Sequence, residues 1–430
     1  MTARTLLRRN PAAGLSPAGD GSGQAGLAGG RQTNSSTLED SSVHTKEKEG
    51  DTMGKTAVLA GQLCLDMTTV FAPIHYEKVS QLFVPGKLIT LDNFTMTLGG
   101  AVSNTGLCLA KQGTEVRLMG RVGTDGLSDV IRKLIHDHNV DPRYLIVDPT
   151  VPTSCTVVMP PRGLDRMFLQ FPGTNDTFTM DDLDYDEIAR AALFHFGYPG
   201  IMKRMYQNDG AELIAMYRKI HDLGVATSLD MVMIDPDSEA ARTDWRKCLQ
   251  NVMPYVDFFV PSIGELAFMI DRKKFDELQE RANGRDITEC ISIGADVRPL
   301  ADELLSWGAR VVMIKCGVMG IYVRTAGREA LLSVGGSVRD TILPWADREV
   351  FEQSYVPKEV VSGLGAGDCC IAAFLGGILA GCSLEKCLQY AAGTGASNVE
   401  AYDSLSGVNT FAEIDARIAA GWKKQGEVRW

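Results

Sequence analysis

Several kinds of segment are absent from this chain of 430 residues. It has no uncharged apolar run of about 18 residues, the length a helix needs to cross a bilayer, so no membrane partner is expected. Its start has no apolar run of the kind that marks a secretory signal. Positive charge is in deficit, with 43 Lys and Arg against 54 Asp and Glu and a net charge of −11. No basic patch or stripe stands out, which argues against nucleic acid as a partner. None of the ten cysteines forms a Cys-x-x-Cys pair, and Cys369 and Cys370 sit side by side in an apolar helical pattern. Zinc and disulfide frameworks are thereby disfavoured, and reduced thiols in a cytoplasmic protein are expected. No internal repeat is visible. With 45% hydrophobic residues, the chain has enough material for a large core without covalent or metal staples.

Residues 1–52 are rich in Gly, Ser, Ala, Thr and charge and poor in large apolar side chains. Such a segment cannot bury enough surface to offset its ordering entropy, so a disordered tail is expected. Arg4, Arg8 and Arg9 precede the first acid, Asp20, as in an organellar transit peptide, but a solvated tail is the simpler reading. Residues 53–430 are expected to form one folded domain. Thr56–Leu65 is a compact apolar run, as in a strand buried on both faces. Val102–Gln112 reads as a helix closed by Gly113, and Val116–Val122 as a second strand. Further strands are expected at Leu193–Phe196, Ala226–Leu229, Phe258–Val260 and Val311–Ile314, with helices such as Ala211–Leu223 and Arg298–Trp307 between them. Strand and helix alternating at this spacing imply an α/β fold with a mostly parallel central sheet and helices on both faces. Two segments, 68–98 and 153–171, break the rhythm with strand character and turns. They are expected to form a small β lid over the mouth of a site.

The sharpest chemical signal is Val360–Asp368 (VVSGLGAGD), followed by the apolar helical pattern CCIAAFLGGILAG. Gly365, Ala366 and Gly367 have little or no side chain, so their N–H groups can face a ligand. The helix start adds partial positive charge, which favours an anion there. An acidic protein that binds phosphorylated anions must hold them by such local means. Asp368 at the same point can accept a proton from a hydroxyl set against that anion, which suits phosphoryl transfer to an alcohol. The competing reading is a Gly-rich turn capped by Asp368. Two other glycine patterns fail on inspection. Gly363, Gly365 and Gly367 lack the x-x-G spacing of a dinucleotide fingerprint. Gly54-Lys55-Thr56 has Glu49 where a P-loop needs its first glycine.

The Gly-Ala-Gly-Asp helix start resembles the C-terminal signature of ribokinase-like (PfkB-type) carbohydrate kinases. Four further segments resemble that family in its order: Gly61–Asp66 (GQLCLD), Gly99–Gly106 (GGAVSNTG) continued by Gly120–Asp125, Val260–Glu265 (VPSIGE) and Lys315–Gly320 (KCGVMG). The resemblance spans nearly all of the chain after Met53. It implies a three-layer α/β/α sandwich and an ATP-dependent kinase acting on a sugar or sugar acid. By matched position it implies Asp368 as catalytic base and Gly365, Ala366 and Gly367 as the anion hole. Asp66, Gly100 and Asn104 would hold substrate hydroxyls. Glu265 would help place Mg²⁺, and Lys315, Gly317 and Gly320 would line the ATP site. Lid strands pair between subunits in many members, so a homodimer through the lid is a further expectation.

Three positions depart from the family pattern. Ser362-Gly363 stands where members usually have Asp-Thr, which puts activation by a monovalent cation in doubt, and Ser262 replaces an Asn. A nucleoside or vitamin kinase of the same fold, and a non-catalytic sugar sensor, remain alternatives; glycine spacing argues against an NAD-dependent oxidoreductase. Glu265 opens a helix and is equally suited to complementing the helix dipole. Asp230 ends a strand, facing the site or a turn. Tyr198 and Pro199 are candidates for substrate contact by position alone. His195 and His221 lie beside apolar residues and read as structural.

Overall fold

The computed structural model describes residues 55–72, 74–161 and 167–430; the tail expected over 1–52 lies outside the described residues. The strands in chain order are β1 (Ala57–Gly61), β2 (Cys64–Phe71), β3 (Leu91–Gly99), β4 (Val116–Met119), β5 (Arg121–Val122), β6 (Ile146–Val147) and β7 (Cys155–Met159). They continue with β8 (Met167–Phe171), β9 (Leu193–Gly197), β10 (Ala226–Asp230), β11 (Phe258–Phe259), β12 (Val311–Lys315), β13 (Gly320–Thr325) and β14 (Glu349–Gln353). The central sheet has the order β14-β13-β12-β11-β10-β9-β1-β4. From β4 to β12 every pairing is parallel, and β13 and β14 close the far edge antiparallel.

The parallel strands are buried on both faces. AVLAG of β1, LFHFG of β9 and ATSLD of β10 are buried throughout. Continuous apolar runs of this kind are what a sheet covered on both sides requires. Two cores result. Phe194, Phe196, Tyr217 and Leu266 belong to one; Leu59, Phe258, Ile371 and Phe374 belong to the other. This is the expected three-layer sandwich.

Three expectations need adjusting. Thr56–Leu65 is not one strand. The chain turns at Gly61, where φ is +123° and a Cβ would strike the Gly197 carbonyl, and β2 leaves for a separate sheet. Val116–Val122 divides at Gly120 into β4 and β5, because β5 pairs with β6 instead of continuing along β1. The antiparallel β13 and β14 went unrecognised, since β14 (EVFEQ) is half-buried and carries two acids on an edge. A separate four-stranded sheet, β3-β2-β7-β8, overlaps the two segments expected to form a lid, but β2 starts at Cys64, before residue 68. Register places Met96, Met67, Val157 and Leu169 in one row, and Leu98, Leu65, Cys155 and Phe171 in the next, on one face. Met96, Leu169 and Phe171 are 42%, 58% and 44% exposed.

The parallel strands end at a common edge. Tyr198 follows β9, Asp230 closes β10, Ser262 lies just beyond β11, and Lys315 closes β12. A bridge between Ser262 and Lys315 carries the parallel pairing past the end of β11. Carboxyl ends of parallel strands are where such sheets bind ligands.

Candidate active site

The helix Ala366–Leu379 begins at this edge. Its N-cap is Gly365, in the left-handed region at φ +71°, with no side chain capping the first turn. A side chain at 365 would also strike Ser404. Two constraints therefore select glycine here: backbone sign and space. Asp368, in the first turn, is 3% exposed. It accepts a bond from Asn104 Nδ2 to Oδ2 at 2.9 Å. The Tyr198 hydroxyl donates to Oδ1 at 2.8 Å and to Oδ2 at 3.0 Å. Burial pushes the Asp368 carboxyl up; Asn104, Lys315 and Tyr198 pull it back, without cancelling the rise.

Asn104 stands on the helix Ala101–Lys111, which starts at Gly100 with φ +94°. Both ends of its amide are engaged: Nδ2 by Asp368, and Oδ1 by the Ser404 hydroxyl at 2.8 Å. Asp66, in β2, is 8% exposed and accepts from the Cys64 thiol at 3.2 Å. A Cβ at Gly99 would lie 2.5 Å from its Oδ1, so that glycine admits the carboxylate. Burial raises Asp66 as well, against bonds from Cys64 and Thr156.

A cavity of about 450 Å³ lies on the other side of Asp368. Gly365, Gly367, Lys315, Gly317 and Glu265 line it, with Tyr198 and Asp230. Lys315 Nζ bonds Asp230 Oδ1 at 2.8 Å and lies 3.8 Å from where a Cβ on Gly367 would be. Burial pushes the Asp230 carboxyl up, while Lys315 pulls it down. Burial also works against the ammonium, but Asp230, Glu265 and Asp368 more than offset that, so its net direction is up. The short contact and the raised ammonium describe a buried, charge-assisted Lys–Asp pair.

Glu265 forms a capping box: its carboxylate accepts from Ser262 N at 2.7 Å, and Ser262 Oγ accepts from Glu265 N at 3.3 Å. It thus complements the helix start while bordering the cavity. Its carboxylate, with that of Asp230, offers hard oxygen donors to the cavity, which suits Mg²⁺. Among the described residues, no group of three or more His, Cys, Asp or Glu side chains is arranged to hold a metal alone. Mg²⁺ needs none, because it keeps waters and takes oxygens from phosphates.

The residues singled out from sequence fall into two groups that meet at Asp368. Glu265, Lys315, Gly317, Gly365 and Gly367 line the cavity. Asp66, Gly100 and Asn104 lie outside that lining. Gly320 lies outside it too; at φ +133° it packs on the Glu352 carbonyl in the β12–β13 turn. Ala366 is the first residue of the helix. Ser362 Oγ accepts from Leu364 N at 3.2 Å. His195 is fully buried beside Ser228, and burial pushes it down to about 3, so the ring is neutral.

Three features escaped the sequence reading. Tyr198 bonds Asp368 directly, where position alone had suggested only substrate contact. Ser404 buttresses both Asn104 and the Gly365 turn, and nothing local marks it. The segment from Arg272 to Thr288 brings Gln279, Arg285 and Thr288 to the cavity wall, a placement that only tertiary packing decides.

Comparison with known proteins agrees with this architecture. Residues 64–410 match the family described as pfkB family carbohydrate kinase. An uncharacterised sugar kinase of Archaeoglobus fulgidus is 23% identical over 300 residues, which is 70% of this chain and 97% of that protein. A 5-dehydro-2-deoxygluconokinase of Listeria monocytogenes is 20% identical over 376 residues, 84% of this chain and 95% of the relative. Among solved structures, Arabidopsis thaliana ribokinase complexed with ribose and ATP superposes with a TM-score of 0.63 at 19% identity, covering 85% of this chain and 98% of that one. An Escherichia coli ribokinase II complexed with ATP and Mg²⁺ superposes with a TM-score of 0.61 at 18% identity, covering 85% and 99%.

Proposed function

Because the chain belongs to the pfkB family of carbohydrate kinases, we propose that it transfers the terminal phosphoryl group of ATP to a hydroxyl of a sugar or sugar acid, with Asp368 as base. The observation that carries this reading is Asp368 itself. It is a buried carboxylate in the first turn of a helix without a side-chain cap, bordering a cavity shared with Gly365, Gly367 and Lys315. The acceptor hydroxyl gives its proton to Asp368. Its oxygen forms the new bond to phosphorus as the bond to the bridging oxygen breaks, and that electron pair leaves on ADP. The amides around Gly365, Ala366 and Gly367, with the Lys315 ammonium, take up negative charge on the transferred group. Burial raises Asp368 toward working pH, which favours its use as a base.

Glu265, with Asp230 beside it, would hold Mg²⁺; when bound, the ion neutralises phosphate charge and orients the transferring group. Gly317, at φ +56° on the cavity wall, lets backbone approach the nucleotide. Gly320 supports the same turn from behind. On the acceptor side, Asp66 and the backbone at Gly100 receive hydroxyls, while Asn104 sits between the acceptor and the base. Ser362 in place of the family's Asp argues for turnover without a potassium requirement.

The 5-dehydro-2-deoxygluconokinases among the relatives favour a keto sugar acid as acceptor. A Methanocaldococcus jannaschii nucleoside kinase shares the fold at a TM-score of 0.57, which keeps nucleosides as the competing class. Ten free thiols suit a reducing cytoplasm, and no helix among the described residues is long and apolar enough to cross a membrane. The exposed apolar side chains Met96, Leu169 and Phe171 on the four-stranded sheet support a homodimer through that sheet.

The test is coupled ADP release with Mg·ATP across pentoses, hexoses, sugar acids including 5-dehydro-2-deoxygluconate, and nucleosides, with and without potassium. Turnover of one sugar or sugar acid is expected. Turnover of nucleosides alone would replace the acceptor class. Silence from folded protein that still binds sugar would favour the sensor.

A further inference from the structure

We infer that Tyr198 is a positioning residue for the base, and that its phenol, acting together with Asn104, leaves Oδ1 of Asp368 as the oxygen that takes the acceptor proton. This rests on Asp368 being the base. A carboxylate oxygen accepts about two good hydrogen bonds. Oδ2 already has two donors, Asn104 Nδ2 at 2.9 Å and the Tyr198 hydroxyl at 3.0 Å. Oδ1 has the Tyr198 hydroxyl alone, at 2.8 Å. An arriving hydroxyl therefore finds its place on Oδ1, and the bifurcated phenol bond shifts toward Oδ2 as it does so. The carboxylate is held from two directions, by a helix of one core and by the end of β9. Its rotamer is thus set before the acceptor binds.

The backbone at Tyr198 supports a role beyond filling space. Its φ and ψ are 67° and 41°, in the left-handed region, which a bulky side chain rarely adopts. Pro199 follows, and a residue before proline is steered toward extended backbone. Strain of this kind persists only where surroundings over-determine it, and it gathers at functional sites. The surroundings here are specific. Tyr198 N–H reaches the Asp230 carbonyl at 3.4 Å. A Cβ on Gly197 would strike that of Ala101, so glycine there brings the end of β9 against the helix that carries Asn104. The turn thus aims the ring at Asp368 from the cavity wall.

The charged and titratable groups around Asp368 are Lys315 at the end of β12, Asp230 at the end of β10, Glu265 on the helix Ile263–Ile270, and the phenol itself. Cys369 and Cys370 are neighbours on its own helix, with thiols held up, Cys369 first by its bond with Cys108 and then by burial, Cys370 by burial. Burial first, and then Asp368 and Asp230, keep the phenol well above its ordinary range, so it stays a donor throughout. As a donor it favours the charged form of Asp368. Removing the hydroxyl lets the carboxyl rise further, and the protonated, inactive form then persists to higher pH.

The experiment is steady-state kinetics of Tyr198→Phe in the full chain across about pH 5–9, with ATP and acceptor varied separately. A loss of kcat of about 10- to 100-fold is expected, as for one hydrogen bond to a charged group. KM for ATP should stay within about twofold, and the acid limb of kcat should move to higher pH. A residue that only packs would lower the melting temperature and the active fraction without moving the limb. Should Tyr198→Phe fold poorly, 3-fluorotyrosine placed at 198 alone keeps the shape with a stronger donor, and the limb should move to lower pH. A kcat within twofold of the parent together with an unmoved limb in either protein overturns the inference. Asp368→Asn separates the two levels. If it stays active, the base assignment falls; if it is inactive while Tyr198→Phe keeps full turnover, only the role of Tyr198 falls.

Discussion

Lys315→Met isolates what the buried ion pair at the floor of the cavity does. Asp230 and Lys315 side chains are 1% and 13% exposed, 2.8 Å apart. Methionine fills similar volume but leaves Asp230 with no counter-charge at that distance. With Lys315 present, burial already raises the Asp230 carboxyl against the pull of the ammonium; without it, the carboxyl rises further. A group whose folded pKa exceeds its unfolded value, about 3.9 for Asp, stabilises fully below the unfolded value and loses that contribution as pH rises toward the folded one. Because the parent's carboxyl is raised as well, that loss is largely common to both proteins, and the variant's deficit is the charge-assisted bond and the buried partner left without it, about 3 kcal/mol or more. That agrees with the roughly 3–5 kcal/mol typical of breaking one side of a buried pair. The assay is urea unfolding of parent, Lys315→Met and Lys315→Met/Asp230→Asn at pH 4.5 and 7. The single variant should be weaker than the parent by about 3–5 kcal/mol at both pH values. The double variant should regain most of the loss at pH 7 yet remain catalytically poor, because the ammonium beside the anion seat is gone. A single variant as stable as the parent at pH 7, or a double variant no more stable than the single, would refute the reasoning.

Gly365→Ala forces a left-handed Ala, costing about 1–2 kcal/mol, and sets a methyl against Ser404; a lower melting temperature and a lower kcat should appear together in thermal melts and ADP-release assays. The lid reading is checked by light scattering, where a dimer of the 46.6 kDa chain should become a monomer in Met96→Asp/Leu169→Asp without loss of helical circular dichroism. A parent that is already monomeric at high concentration ends that idea. Deleting residues 1–52, which carry few large apolar side chains, should leave the melting temperature and turnover unchanged, as measured by calorimetry and the same coupled assay.

Much of the fold was legible because it is written at short range. A strand covered on both faces must be apolar along its length, so β1, β9, β10 and β12 declare themselves. A helix that opens on a left-handed turn against an anion needs small residues, so Gly365–Gly367 and the acid after them stand out together. The departure of β2 was less visible. Leu63 and Leu65 are as apolar as β1, and only the approach of Gly61 to Gly197 shows where the chain turns away.

Local residue chemistry thus determined the layered architecture and the helix start that carries Asp368. It did not determine who holds Asp368. Asn104 is 264 positions from it and Tyr198 is 170, while Ser404 reaches Asn104 across 300. Those bonds depend on which strand ends lie side by side, and strand order follows from the packing of whole helices and not from any window of residues. For the same reason an Asp at the end of β10 and a Lys at the end of β12 read as separate candidates in the sequence. They become one pair only because β11 sets their strands two places apart and both side chains are driven into the same buried floor.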